Sequence, residues 1–227
     1  MTDKRNELLN ILKLMNVIRD TNDKNKWNKF DTDQDCESIT KLFLVTTELS
    51  ESVEWFRDKT KVGDSKAFDK FKEELVDVII RYLDIMSAYD TLDNWKFVFY
   101  HAIEFDVKHK CYIIKSNNEY LIFDEDGNIH NTNDLSIKSI IQFDWNKKYN
   151  IPVILDLHNR ICSDLSKDFY NYYNDDITKE MFSYQLMCAF LIFCVSCDSI
   201  FDNIIYDIHK KNKINSLRGI KHGNKTV

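Results

Sequence analysis

Apolar residues recur at helical spacing along most of this chain. Leu8, Leu9, Ile11, Leu12, Leu14, Met15 and Ile18 predict an amphipathic helix over residues 6 to 20. Residues 21 to 37 are polar and rich in Asp, Asn and Lys, which predicts a loop carrying Trp27 and Phe30. A second helix is predicted from about Ser38 to Lys59 and a third from about Lys66 to Tyr89. The segment Thr60 to Ser65, with Gly63, connects them, and so short a connection sets the two helices antiparallel.

From about Trp95 to Trp145 the period changes. Short runs rich in Tyr, Ile and Phe appear, such as Cys111–Ile114 and Tyr120–Phe123, and Asp126-Gly127-Asn128 is a turn signal. These predict a small hairpin or meander. Helical periodicity returns from about Pro152 to Tyr173, and one last long helix is predicted from about Thr178 to Lys211. The reading is therefore a mainly α protein, a single domain over 1–227, with a small antiparallel β insertion at about 95–150.

Composition agrees with that outline. Hydrophobic residues make up 44%, enough for a packed core, and 4 Gly with 1 Pro disfavour a turn-rich all-β fold. The net charge of −6 comes without a basic arm, so no nucleic-acid partner is expected. The most apolar run, Leu186 to Val195, is shorter than a bilayer requires, so a buried helix is expected and no membrane partner. The N-terminus is polar and then amphipathic, without the look of a signal peptide. The 6 cysteines form no regular framework, and Cys194-x-x-Cys197 sits alone inside the apolar run. Core thiols in a reducing, cytoplasmic compartment are the expectation.

The chemistry concentrates in two acidic couplets. Glu48-Leu49-Ser50-Glu51 lies on the second predicted helix, and Glu74-Leu75-Val76-Asp77 on the third. Residues three apart share a helix face. One such couplet is ordinary on a solvated helix. Two of them, interleaved with Leu49, Val53, Leu75 and Val76 on antiparallel neighbours, predict convergence. Two carboxylates ~5 Å apart repel by about 3 kcal/mol at an effective dielectric of ~20, so a compensating cation is expected. An all-oxygen donor set suits Mg²⁺, with Mn²⁺ as the alternative. No E-x-x-H occurs, which argues against a di-iron bundle.

The layout E-x-x-E, loop, E-E-L-x-D-V resembles the all-α nucleoside triphosphate pyrophosphohydrolases, the superfamily of MazG-like proteins, dimeric dUTPases and dCTP pyrophosphatases. Trp27-x-x-Phe30 is similar to the W-x-x-F segment of the dCTP pyrophosphatases. Lys210-Lys211-Asn212, Arg218 and Lys221-His222-Gly223-Asn224-Lys225 resemble the basic MazG-like tail. The clear resemblance covers roughly residues 6 to 90 and 186 to 225, and the stretch between is not accounted for.

What the resemblance implies is a MazG-like helical bundle that hydrolyses a nucleoside triphosphate to the monophosphate and pyrophosphate. A pyrimidine deoxynucleotide such as dUTP or dCTP is the first choice of substrate. Glu48, Glu51, Glu74 and Asp77 would be the catalytic residues and metal ligands. Trp27 and Phe30 would enclose the base. Lys211, Asn212, Arg218, Lys221 and Lys225 would contact the phosphates or the nucleotide. Arg81 stands where the family often has an aromatic, and is expected to reach a phosphate. A homodimer is implied. The alternative reading is a non-catalytic helical bundle that binds or senses nucleotides.

Overall fold

The computed structural model describes residues 4–25, 27, 34–57, 64–106, 111–116, 119–124, 129–132 and 151–218. Among these the chain is mainly helical with one small antiparallel sheet, as the sequence pattern predicts. The elements in order are α1 (Lys4–Leu12), α2 (Met15–Lys24), α3 (Gln34–Arg57), α4 (Asp64–Tyr89), α5 (Leu92–Ala102), β1 (Ile103–Asp106), β2 (Cys111–Ser116), β3 (Glu119–Asp124), β4 (Ile129–Thr132), α6 (Ile151–Tyr173), α7 (Lys179–Cys197), a 3-10 turn (Asp198–Ile200) and α8 (Ile204–Arg218). Contacts divide the backbone into two compact units. One comprises Ile11–Leu92 with Ile200–Val227, the other Met1–Asn10 with Asp93–Ser199.

In the first unit α4 is the central rod, packed against α2, α3 and α8. Its inward positions Phe71, Leu75, Val78, Ile79, Tyr82, Leu83, Ile85 and Met86 are all buried. Each such side chain contributes roughly 1.5–3 kcal/mol of burial. Leu42, Val45 and Leu49 answer from α3, Met15 and Ile18 from α2, and Ile204 and Ile208 from α8. The α3–α4 pair runs antiparallel, as predicted: Lys41 meets Asp84 at one level, and Glu48 meets Asp77 about two turns along.

In the second unit the four strands form a meander of order β1-β2-β3-β4, every neighbour antiparallel. Ile113 pairs with Ile122, and Ile122 with His130. The predicted runs Cys111–Ile114 and Tyr120–Phe123 fall on β2 and β3. The backbone carbonyl of Lys115 on β2 accepts from Tyr184 Oη (3.1 Å) and Cys188 Sγ (2.9 Å) of α7. Helix α7 is long and apolar enough to cross a membrane by length and composition. It is nonetheless buried from Leu186 to Cys197, which makes it the core of this unit, as expected of the apolar run. Burial pushes the Cys188 and Cys197 thiols up to about 12, so they are packing groups without nucleophilic character.

Several boundaries differ from the sequence reading. The helix predicted over 6–20 is two helices, with Leu14 N–H bonded to Ile11 O at the break. Leu8, Ile11, Leu12, Met15 and Ile18 keep the spacing of one stripe across that break and are all buried, so the apolar pattern does not reveal it. The loop predicted over residues 21 to 37 is helical at both ends: α2 continues to Lys24 and α3 starts at Gln34. Trp95 belongs to helix α5, where it is fully buried, and strand structure begins only at Ile103. The helix predicted from Thr178 to Lys211 is also broken. Thr178 caps α7 by accepting from Met181 N–H, and Asn203 Oδ1 caps α8 by accepting from Tyr206 N–H at 3.0 Å. The turn Asp126-Gly127-Asn128 lies outside the described residues.

Candidate metal centre

Three of the four predicted carboxylates converge. Glu48 on α3 and Glu74 and Asp77 on α4 each offer an oxygen, and the three oxygens lie within 4.8 Å of one another. The cause is local. Glu74 and Asp77 are one helical turn apart on α4, and the antiparallel register lays Glu48 across from them. Glu48 is 8% exposed, while Glu74 and Asp77 are half-buried. Glu51, one turn further along α3, is half-buried and stands outside the group. The expected set of four is therefore three with a neighbour.

Two cations of the chain itself face this group. Arg81, one turn after Asp77, donates from Nε (3.1 Å) and Nη2 (2.9 Å) to Glu48 Oε1. Lys211 of α8 pairs through Nζ with Asp77 Oδ2 at 2.7 Å, and is itself 9% exposed. Burial is the largest influence on the Asp77 carboxyl and raises its pKa above the ordinary value. The Lys211 ammonium opposes that rise, and the Glu48 charge adds to it. Arg81 was expected to reach a phosphate; here it holds a carboxylate.

The donor set fits a hard divalent ion. Oxygens about 2.1 Å from one Mg²⁺ lie roughly 3–4 Å apart, so the observed spread needs only small rotamer adjustments. Three carboxylates leave the remaining positions of an octahedron for water or substrate oxygens.

Beside this group a cleft of about 450 Å³ opens between α4 and α8. Lys70, Lys72, Lys210 and Lys211 line it, together with Asp69, Glu73 and Asp207. Glu73 pairs with Lys70 at 2.6 Å and Asp69 with Lys72 at 3.4 Å, so much of the wall is internally neutralised.

No known family model, curated protein or solved structure matches this chain. The resemblance to the pyrophosphohydrolases therefore rests on the residues themselves. Among those residues, Asn212 is buried on α8 and donates to Thr21 Oγ1 of α2 at 3.1 Å, which makes it a helix–helix tie. Trp27 is half-buried beyond the end of α2, its N–H on Asn22 O at 2.9 Å. Arg218 closes α8. Phe30, Lys221 and Lys225 lie outside the described residues.

Sequence reasoning missed Lys41 and Asp84. They form an ion pair at 3.0 Å with both side chains 4% exposed. Asp84 Oδ1 is buried without a hydrogen-bond partner. A signal existed: Asp77, Arg81 and Asp84 share one face of α4 at i, i+4 and i+7, in line with the acidic couplet.

Proposed function

We propose that the protein is a Mg²⁺-dependent nucleotide pyrophosphohydrolase, cleaving a nucleoside triphosphate to the monophosphate and pyrophosphate. The observation that carries this reading is the closure of Glu48, Glu74 and Asp77 to within 4.8 Å on two antiparallel helices. A divalent ion held there would neutralise charge on the transferring phosphoryl oxygens. Glu48, Glu74 and Asp77 would hold it. Glu51, one turn along α3 from Glu48 and outside the group, would orient or deprotonate the attacking water. Lys211, which also lines the adjoining cleft, would supply positive charge for substrate phosphates, while Arg81 holds Glu48. The resemblance extends the proposal to a pyrimidine deoxynucleotide, dUTP or dCTP, and to a homodimer, and the cysteines, which form no regular framework, extend it to a cytoplasmic compartment.

A second reading has its own support. Glu48 and Asp77 already have internal cationic partners in Arg81 and Lys211, as a purely structural network would. On that reading the bundle binds or senses nucleotides without hydrolysing them.

Pyrophosphate release from a panel of deoxynucleoside triphosphates with Mg²⁺ separates the two. The hydrolase reading expects release that falls by on the order of a hundredfold or more in Glu48→Ala, since even outlying groups of a metal site cost 10–100-fold. Nucleotide binding without release would favour the sensor. Release that is unchanged in the variant would remove the carboxylate group from the chemistry.

A further inference from the structure

Lys211 stands in two places at once. Its Nζ lies 2.7 Å from Asp77 Oδ2, and the same residue lines the cleft that Lys70, Lys72 and Lys210 also line. A divalent ion coordinated by the carboxylate group would bring a second cation onto the Asp77 carboxylate that the ammonium now holds. Two cations on one carboxylate repel each other strongly in a site this buried.

Arg81 and Lys211 are not equivalent in this respect. The guanidinium is a rigid fork with two bonds to Glu48, whereas an ammonium on a flexible four-carbon stem is held by one contact. Displaced from Asp77, the Lys211 head has polar space available in the adjoining cleft. Lys210 is already exposed there, and the Lys70 and Lys72 charges are balanced by Glu73 and Asp69.

We infer that Lys211 is an exchangeable counter-ion: it neutralises Asp77 in the metal-free protein and moves into the α4–α8 cleft to bind an anionic oxygen group, such as a substrate phosphate, when a divalent cation enters. This deepens the hydrolase reading and rests on its cation site. Metal and anion then favour one another through one side chain. Linkage makes that coupling reciprocal: the anion tightens the metal by the factor by which the metal tightens the anion.

The test titrates Mn²⁺, read by its paramagnetic resonance, into the wild type, Lys211→Met, Lys211→Gln and Lys211→Arg. Circular dichroism confirms the fold, and Lys211→Gln keeps a readout should the methionine variant fold poorly. Removing the resident cation should tighten Mn²⁺ on the order of tenfold, within the usual range of such couplings, while Lys211→Arg stays near the wild type. Inorganic phosphate, at constant ionic strength, should tighten Mn²⁺ in the wild type and do so less in Lys211→Met. Folded Lys211→Met or Lys211→Gln protein with unchanged or weaker Mn²⁺ affinity would overturn the exchange. Absence of Mn²⁺ binding in every protein would overturn the cation site itself, and the exchange with it.

Discussion

Arg81 places two nitrogens of its guanidinium on one oxygen of Glu48, joining α4 to α3 at the level of the carboxylate group. Glu48 is nearly buried, so this bond answers a question that the sequence raised: what offsets a carboxylate set against an apolar stripe. The chain supplies its own cations, Arg81 to Glu48 and Lys211 to Asp77. An incoming metal would join this arrangement and compete with part of it.

Arg81→Met should therefore destabilise the metal-free protein. Glu48 would keep its burial and lose its donor, a loss of about 1–3 kcal/mol for a hydrogen bond to a charged group at a partly exposed pair. Added Mg²⁺ should raise the melting temperature of this variant more than that of the wild type, because it relieves a larger uncompensated charge. Equal Mg²⁺ shifts in the two proteins would show that the ion does not bind next to Glu48.

The Lys41–Asp84 pair gives a sharper stability test. Lys41→Met leaves Asp84 buried with its cation gone, and breaking such a pair from one side costs about 3–5 kcal/mol. The double variant Lys41→Met, Asp84→Leu should recover most of that loss, since an apolar replacement of a buried pair is often neutral. Urea denaturation measures both. A double variant as unstable as the single one would mean that the pair is not the cause.

His158 gives the second unit a distinct pH dependence. Its Nε2 lies 2.8 Å from Ser196 Oγ, its Nδ1 has no partner, and burial pulls its pKa down to about 3 from an ordinary 6.5. The unfolded chain therefore takes up a proton that the folded protein refuses. This group's stabilising contribution is complete above pH 6.5 and is lost as pH falls from there toward 3, at up to about 1.4 kcal/mol per pH unit. His158→Gln, which can still bond Ser196, should lose that slope. Denaturation midpoints at pH 7 and pH 5 compare the two proteins, and parallel pH profiles would refute the assignment.

How much of this was legible beforehand follows from the range of each interaction. The α3–α4 helices and their acidic couplets were readable because i, i+3 spacing within an apolar stripe is local information. The strands β2 and β3 were readable for the same reason. Asp84 shares the Asp77 face of α4, but its pairing with Lys41 was not readable, since the two meet only once the antiparallel register is known. That Glu51 stands outside the group formed with Glu74 and Asp77 also depends on that register. The break between α7 and α8 was hidden by apolar residues on both sides, although Asn203 carried a capping signal. Asn212 matched a motif, but its partner Thr21 lies on a distant segment that no local pattern reveals.

A substitution at Glu51 should separate metal binding from the proposed turnover. Because it stands outside the group of three, Glu51→Gln should leave Mg²⁺ affinity within about threefold of the wild type while lowering pyrophosphate release by about 10²–10⁴-fold, the usual contribution of a general base. Loss of both together would make Glu51 a ligand. Loss of neither would leave it a solvated surface residue.

The central claim is that Glu48, Glu74 and Asp77 form one cation site, and a Mn²⁺ titration of the wild type against Glu74→Gln tests it most directly. Glu74 adds its oxygen to the group. The account predicts saturable Mn²⁺ binding in the wild type, displaced by Mg²⁺, and weakened at least about tenfold in Glu74→Gln. Binding of equal strength in both proteins, or none in either, would contradict it.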